Sequence, residues 1–339
     1  MVEFGTRSVR APEIYGDFWF NSEPLPLGAL RGQIILIDFW DYSSVNCLRT
    51  IPYVKEWYHR YHGYGLVVIG IHAPQFPFGQ QPGNIQRAIE RFGIQYPVVM
   101  DNQQLIWGRF RNRYLPAKYL IDKDGFIRHV FVGEGNYITL EHSLQSLLIE
   151  TGCFEPLPLP MEPLRDTDRP DALCYRATPE LQTGYVHGCL GNSEGYAPES
   201  TVEYIDQHQY IEGRFYLEGK WRSSRTAVEM RGENREKGHI IFPYTAAEVH
   251  CVLQPGSIKS IVEIFQDELP LDELNRGSDV TVEPDLSSII RVDEPRSYCI
   301  VKNKEFGPHR LRIETTSSGL MIHSISFISA VIPELIQDN

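Results

Sequence analysis

The chain has 339 residues, with 32 Lys and Arg against 44 Asp and Glu, for a net charge of −12. That length sets a prior of two domains, and the apolar and charged fractions are those of an ordinary globular protein. Residues 1–150 hold 14 basic and 14 acidic side chains; the other 18 and 30 lie in 151–339, so the whole excess is in the second half. An acidic half repels phosphate backbones, which argues against nucleic acid as a partner. No apolar run reaches the length of a membrane span. The first fifteen residues lack the apolar stretch of a secretion signal. As written the chain is expected in the cytoplasm, or outside it if it is part of a longer protein.

In chain order, residues 1–33 are rich in turn-formers: Pro12, Gly16, Pro24, Pro26, Gly28 and Gly32. Phe18-Trp19-Phe20 reads as a short strand or a lid. The apolar run Ile34-Ile35-Leu36-Ile37 opens a buried strand over 34–40. Val54, Trp57, Tyr58 and Tyr61 then recur at helical spacing, predicting a helix over 44–62 with a kink at Pro52. Residues 66–71 predict a second buried strand, followed by a proline-rich loop. A helix follows with Ile85, Ala88, Ile89 and Phe92 on one face. Strands are expected at 96–100 and 117–121, with a short helix at 105–110 between them. The turn Asp122-Lys123-Asp124-Gly125 leads into a strand at 126–132. A last helix carries Leu140, Leu144, Leu147 and Leu148. Alternating strands and helices make this an α/β domain over 1–150.

Residues 151–177 contain five prolines among mixed charges and read as a semi-rigid linker. Beyond them, over 178–339, short apolar or alternating runs recur about every 8–12 residues, as in an all-β jelly-roll sandwich.

Chemistry concentrates where the first strand turns into the helix. There Cys47 follows Ser44-Val45-Asn46. A helix start carries free N–H groups and partial positive charge, which favours a thiolate. Cys47, one turn in, is nevertheless expected to be largely shielded, either as a small buried hydrophobe or as a monothiol. Ser44 is expected to cap the helix. It cannot act as a thiolate or form a disulfide. The other cysteines are scattered; His187-x-Cys189 and His250-Cys251 come nearest to metal-ligand spacing and read as chance placements on strands. Gly133-x-Gly135 is too sparse for a nucleotide loop. No cofactor or metal is expected.

These residues resemble the thioredoxin superfamily, and within it the TlpA and DipZ-type redoxins. Asp38-Phe39-Trp40 is similar to the thioredoxin strand end with its buried aspartate. Ser44 and Cys47 fall where the family places Cys-x-x-Cys, and Pro52 matches its helix proline. Leu115-Pro116 matches its cis-proline loop. The strings from Arg49 to Lys55 and from Pro116 to Asp122, together with Gly133-Glu134-Gly135, look DipZ-like. Thr178-Pro179-Glu180-Leu181 and the β-rich region after it resemble the carbohydrate-binding-module-like domain that follows the redoxin. The resemblance implies a fold, an α/β thioredoxin-like domain and then an all-β jelly-roll domain, and an activity, thiol–disulfide exchange with protein thiols or extended peptides. It implies catalytic positions Ser44, Cys47, Asp38 and Pro116, with Trp40, Tyr42 and Leu115 as the substrate surface. Asp38 would be the proton acceptor of the second cysteine, and without a disulfide to resolve, a buried acid with a raised pKa.

Two departures stand out. Ser44 replaces the first cysteine, so dithiol activity is expected to be absent or reduced, and Gln75 stands where a glutamate is expected. A binding protein is one alternative, taking a peptide beside Pro116 and a glycan on Tyr185, Tyr210, Tyr216, Trp221 or Tyr244. Another is a peroxiredoxin-like peroxidase, since that family uses Ser/Thr-x-x-Cys. Trp40 stands where its proline should be, and Arg113 is two residues from the expected arginine.

Overall fold

A computed structural model describes Val2–Glu3 and residues 9–333, apart from 17, 154, 234 and 235. The chain divides into two compact units, Met1–Asp171 and Ala172–Asn339.

The first unit contains β1 (Val2–Glu3), β2 (Val9–Arg10), β3 (Trp19–Phe20), β4 (Ile34–Trp40), α1 (Val45–Tyr61), β5 (Leu66–His72), α2 (Pro82–Phe92), β6 (Val98–Met100), α3 (Leu105–Arg109), β7 (Ala117–Ile121), β8 (Phe126–Val132) and α4 (Tyr137–Glu150). Its sheet runs β1-β8-β7-β4-β5-β6-β3, with β2 also on β8. β4 pairs in parallel with β5 and antiparallel with β7. A strand so central, covered on both faces, must be apolar throughout, and all seven residues of β4 are buried. Ile35, Ile37 and Phe39 enter one core with Ile69, Ile71, Ala117 and Tyr119. By strand alternation, Asp38 projects to the other face. Phe18 stays exposed while Trp19–Phe20 forms an edge strand on β6, so the segment is a strand rather than a lid. Gly70 gives Trp40 and Tyr96 their space: a Cβ there would lie 3.0 Å from the Trp40 ring nitrogen and 3.1 Å from Tyr96.

The proline-rich stretch expected as a linker instead lies largely against this unit. Gln145 donates to Pro158 O (2.7 Å), Met161 N to Glu141 (2.9 Å), and Leu164 N to Tyr53 Oη (2.7 Å). Tyr53 Oη donates to Asp168 (2.8 Å). Prolines leave carbonyls without competing N–H groups of their own, and the helices supply side chains that pair with this backbone.

The second unit is all-β, with β9 (Leu181–Gln182), β10 (Thr201–Tyr204), β11 (Tyr216–Ser223), β12 (Val228–Met230), β13 (Gly238–Gln254), β14 (Ser260–Gln266), β15 (Leu269–Pro270), β16 (Thr281–Val282), β17 (Ser288–Val292), β18 (Arg296–Thr315) and β19 (Met321–Ile328). They join in one hydrogen-bonded network in which β11, β12, β19 and β13 pair in a closed ring. Two strands, β13 and β18, are 17 and 20 residues long, well beyond the short runs expected from the sequence. Pro243 and Pro308 lie within them, opposite Arg310 and Thr245, and register shifts bend the pair. Such shifts let a long strand turn and serve two parts of a curved sheet. The strand Val228–Met230 has too short an apolar run to stand out in the sequence. Trp221, Phe215, Phe242, Tyr244 and Tyr298 fill the core.

Candidate active site

Ser44 occupies the N-cap of α1 in extended conformation, φ −85° and ψ 114°, but its side chain makes no capping hydrogen bond. The expected cap is therefore absent. The hydroxyl turns instead to Cys47 and favours its ionised form. Cys47 is fully buried, and burial pushes its thiol up to about 12, with the nearby Asp41 and Asp38 carboxylates also acting against the thiolate. The expectation that the helix start favours a thiolate fails at this position, because the sulfur lies inside the core rather than at the open helix end.

Asp38 and Lys118 are direct cross-strand neighbours on β4 and β7. Their charged atoms are 3.2 Å apart, and both side chains are buried. Burial raises the Asp38 pKa, and Lys118 only partly opposes it. The raised acid agrees with the expectation for Asp38, and its lysine partner comes from a neighbouring strand outside the motif. A lysine inside the apolar strand Ala117–Ile121 was the available signal, since a buried cation needs a partner.

A second buried polar group flanks the motif. Asp41 Oδ1 accepts from Ser43 N (2.7 Å) and Ser43 Oγ (2.8 Å), while its Oδ2 accepts from Gln75 N (2.6 Å). His72 Nε2 lies 3.7 Å from Asp41. Burial works to raise Asp41, but His72 and the backbone N–H groups of Ser43 and Gln75 overcome it and hold the carboxyl below its ordinary range. Gln75 thus contributes its backbone, and its side chain is exposed. Trp40 packs edge-on to His72 and Tyr42 stacks on it.

That packing corrects two assignments. Trp40 and Tyr42, expected on the substrate surface, are 0% and 2% exposed. They wall His72 inside the protein. Leu115 remains half-buried, and the Leu115–Pro116 bond is cis. Ser44 is half-buried and Asn46 exposed, so the outward part of the motif is its serine end.

The segments that carried the resemblance meet in space. Arg49 Nε pairs with Glu134 at 2.5 Å, and Arg49 Nη2 donates to Thr167 at 3.0 Å. Arg165 donates to Arg49 O, and Tyr53 stacks on Tyr137 with centroids 3.7 Å apart. Burial raises the Glu134 pKa against the pull of Arg49. In the second unit, Trp221, Tyr244 and Tyr216 are buried, which removes them as sugar-stacking rings; Tyr185 and Tyr210 are half-buried. Among the described residues no helix is long and apolar enough to cross a membrane.

Comparison with known proteins agrees with both units. The family described as AhpC/TSA matches residues 11–130, and that described as thioredoxin like C-terminal domain matches 178–327. Protein DipZ of Mycobacterium tuberculosis is 38% identical over 248 residues, covering 72% of this chain and 35% of DipZ. The chain thus spans about a third of the length of that relative. Thiol-disulfide oxidoreductase YkuV of Bacillus subtilis is 30% identical over 141 residues, 41% of this chain and 95% of YkuV. A solved structure of a thioredoxin-like protein in the oxidised form is 30% identical, with a TM-score of 0.40, covering 43% of this chain and 99% of that one. Matched over 95% of YkuV, and over 72% of its own length to DipZ, the chain belongs to the thioredoxin-like family of thiol–disulfide oxidoreductases.

Proposed function

We propose that this chain is a redoxin that has kept the family's peptide-facing scaffold and lost dithiol turnover. The observation that carries this reading is the state of the motif's single sulfur. Cys47 is fully buried with its thiol near 12, and a serine occupies the position that would attack. A serine hydroxyl is not ionised near neutral pH without a dedicated base, and it forms no disulfide. Cys47 and Asp38 take the places of a resolving thiol and its proton acceptor. Ser44 and Leu115, both half-buried, offer the face for protein thiols or an extended peptide segment, with the buried Pro116 next to Leu115 in the chain.

A peroxide-reducing role finds less support. A peroxidatic cysteine must be an accessible thiolate, whereas this sulfur is buried beside two carboxylates. In the second unit a cleft of about 370 Å³ is lined by Asn192, Gln207, Gln209, Tyr210 and Tyr216. Amide side chains beside an aromatic ring suit a carbohydrate, and that cleft is the place to look for one.

The test is Ser44→Cys. A thiol at the N-cap of α1 receives the helix N–H groups and dipole, and Cys47 lies one turn further on. The expected result is an intramolecular disulfide between positions 44 and 47, with dithiothreitol-dependent insulin reduction that the parent protein lacks. A thiol count before and after oxidation reads the first, and the turbidity assay reads the second. Insulin reduction by the parent protein would defeat the proposal. A disulfide without reduction would show that the face around Pro116 no longer accepts such substrates.

A further inference from the structure

In the second unit, the register of two long strands brings together three side chains that the sequence holds far apart. Glu248 and His250 alternate onto one face of β13. From Glu248↔Lys302 and Val249↔Val301 the pairing slips by one residue to His250↔Cys299. Without that slip His250 would face Ile300, which is fully buried. The irregularity therefore re-aims a cysteine at the histidine, a known use of bulges near functional sites. His250-Cys251, the pairing suggested by the sequence, is not the one formed: Cys251 points into the core.

The slip is held in place by the 277–279 loop. Gly277 N donates to Ile300 O (2.7 Å), Asp279 N to Cys299 O (3.2 Å), and Cys299 N to Asp279 Oδ2 (2.7 Å). Arg296 pairs with Asp279 at 2.7 Å. A Cβ on residue 277 would lie 2.2 Å from the Cys299 carbonyl oxygen, so only glycine permits this approach.

We propose that Glu248, His250 and Cys299 form a binding site for a divalent transition-metal ion of the zinc class. One sulfur, one imidazole nitrogen and one carboxylate oxygen make a donor set suited to such an ion. All three donor atoms lie within 4.8 Å of one another. Bonds of roughly 2.0–2.3 Å place tetrahedral ligands roughly 3.3–3.8 Å apart, and His250 Nε2 is 3.5 Å from Glu248 Oε2. The His250 and Glu248 side chains are 15% and 24% exposed, so water can take the fourth position. Lys302 approaches the other Glu248 oxygen at 3.8 Å. Binding takes the thiolate, and any proton on the sulfur leaves to solvent. A second acidic group, Asp206, Glu218 and His239, lacks sulfur. Its Asp206 already accepts from Tyr210 Oη and His208 N.

The experiment titrates the metal-free full-length chain with Co²⁺, whose bond to a thiolate gives a near-ultraviolet charge-transfer band. One equivalent should produce that band, and Zn²⁺ should abolish it. Cys299→Ser should lose the band, Glu248→Gln should keep it at an affinity weaker by about tenfold or more, and His239→Ala should leave it unchanged. No band in the parent protein, or a band that survives Cys299→Ser, overturns the site. A measurement on the unsubstituted protein guards against misfolded variants. Zn²⁺ should slow iodoacetamide labelling at Cys299, mapped by mass spectrometry, while the exposed Cys174 and Cys189 label as before. Unchanged labelling at Cys299 overturns the proposal as well.

Discussion

Two opposed effects act on Cys47, and their sizes decide its state. A helix N-terminus favours an anion by about 0.3–1 kcal/mol, ~2 in partly buried geometry. The rise of the thiol from its usual 9.0 to about 12 corresponds to about 4 kcal/mol against the thiolate, so burial wins. Asp38 and Lys118 are a buried pair in which each needs the other. Removing one partner of such a pair costs about 3–5 kcal/mol. Lys118→Met is therefore expected to lose about that much in urea unfolding, and Asp38→Asn added to it should recover a large part. If Lys118→Met is neutral, the pair has no such mutual dependence. Asp41 gives a pH prediction. Its folded pKa lies below the ordinary 3.8, so the unfolded chain binds the proton more readily. Its contribution to stability is complete well above 3.8 and is lost as pH falls below that value through the folded pKa. Asp41→Asn should be less stable at neutral pH but show a flatter acid limb. Equal acid limbs in the two proteins would remove Asp41 as a source of the dependence.

At the scale of elements, α1 is the hub of the first unit. One end carries the motif, and its flank holds Arg49 and Tyr53 against Glu134 and the 164–168 segment. The latter contacts alter where a protease should cut. The sequence reading placed an accessible linker across 151–177. With 158–168 bonded to α1 and α4, and Cys174 bridged to Val331, the longest run of consecutive exposed residues among those described between 151 and 177 is 169–171. Limited subtilisin digestion is expected to cut there. Tyr53→Phe removes the hydroxyl that accepts from Leu164 N and donates to Asp168. Each such bond is worth about 0.5–1.5 kcal/mol, so the variant should admit cuts within 156–168. A parent protein cut first in that stretch would count against the docking.

At the scale of the whole molecule, two compact units with separate cores are expected to unfold as two transitions. Calorimetry should show Lys118→Met lowering one of them and leaving the other in place. A single transition that moves as a whole would mean the units are thermodynamically one. The acidic excess also sorts by unit: residues 172–339 hold 16 basic against 25 acidic side chains, nine of the twelve net negative charges, so low salt should affect that transition more through self-repulsion.

The resemblance to a known family supplied the cis-proline loop and the missing sulfur; the residue pattern alone determined the order of strands and helices from β4 to α4 and the all-β character of the second unit. Those features are local: they follow from apolar period, turn residues and motif spacing within short windows. Tertiary structure decided which side chains share a space. Lys118 meets Asp38 only because β7 lies beside β4 in a particular register. His72 meets Asp41 because β5 lies on β4's other edge. Trp40 and Tyr42 face inward because that same packing encloses His72, although the motif alone suggested a surface. Cys299 reaches His250 through a one-residue slip between strands some fifty positions apart. Register is a property of pairs of strands, and no window of one strand contains it.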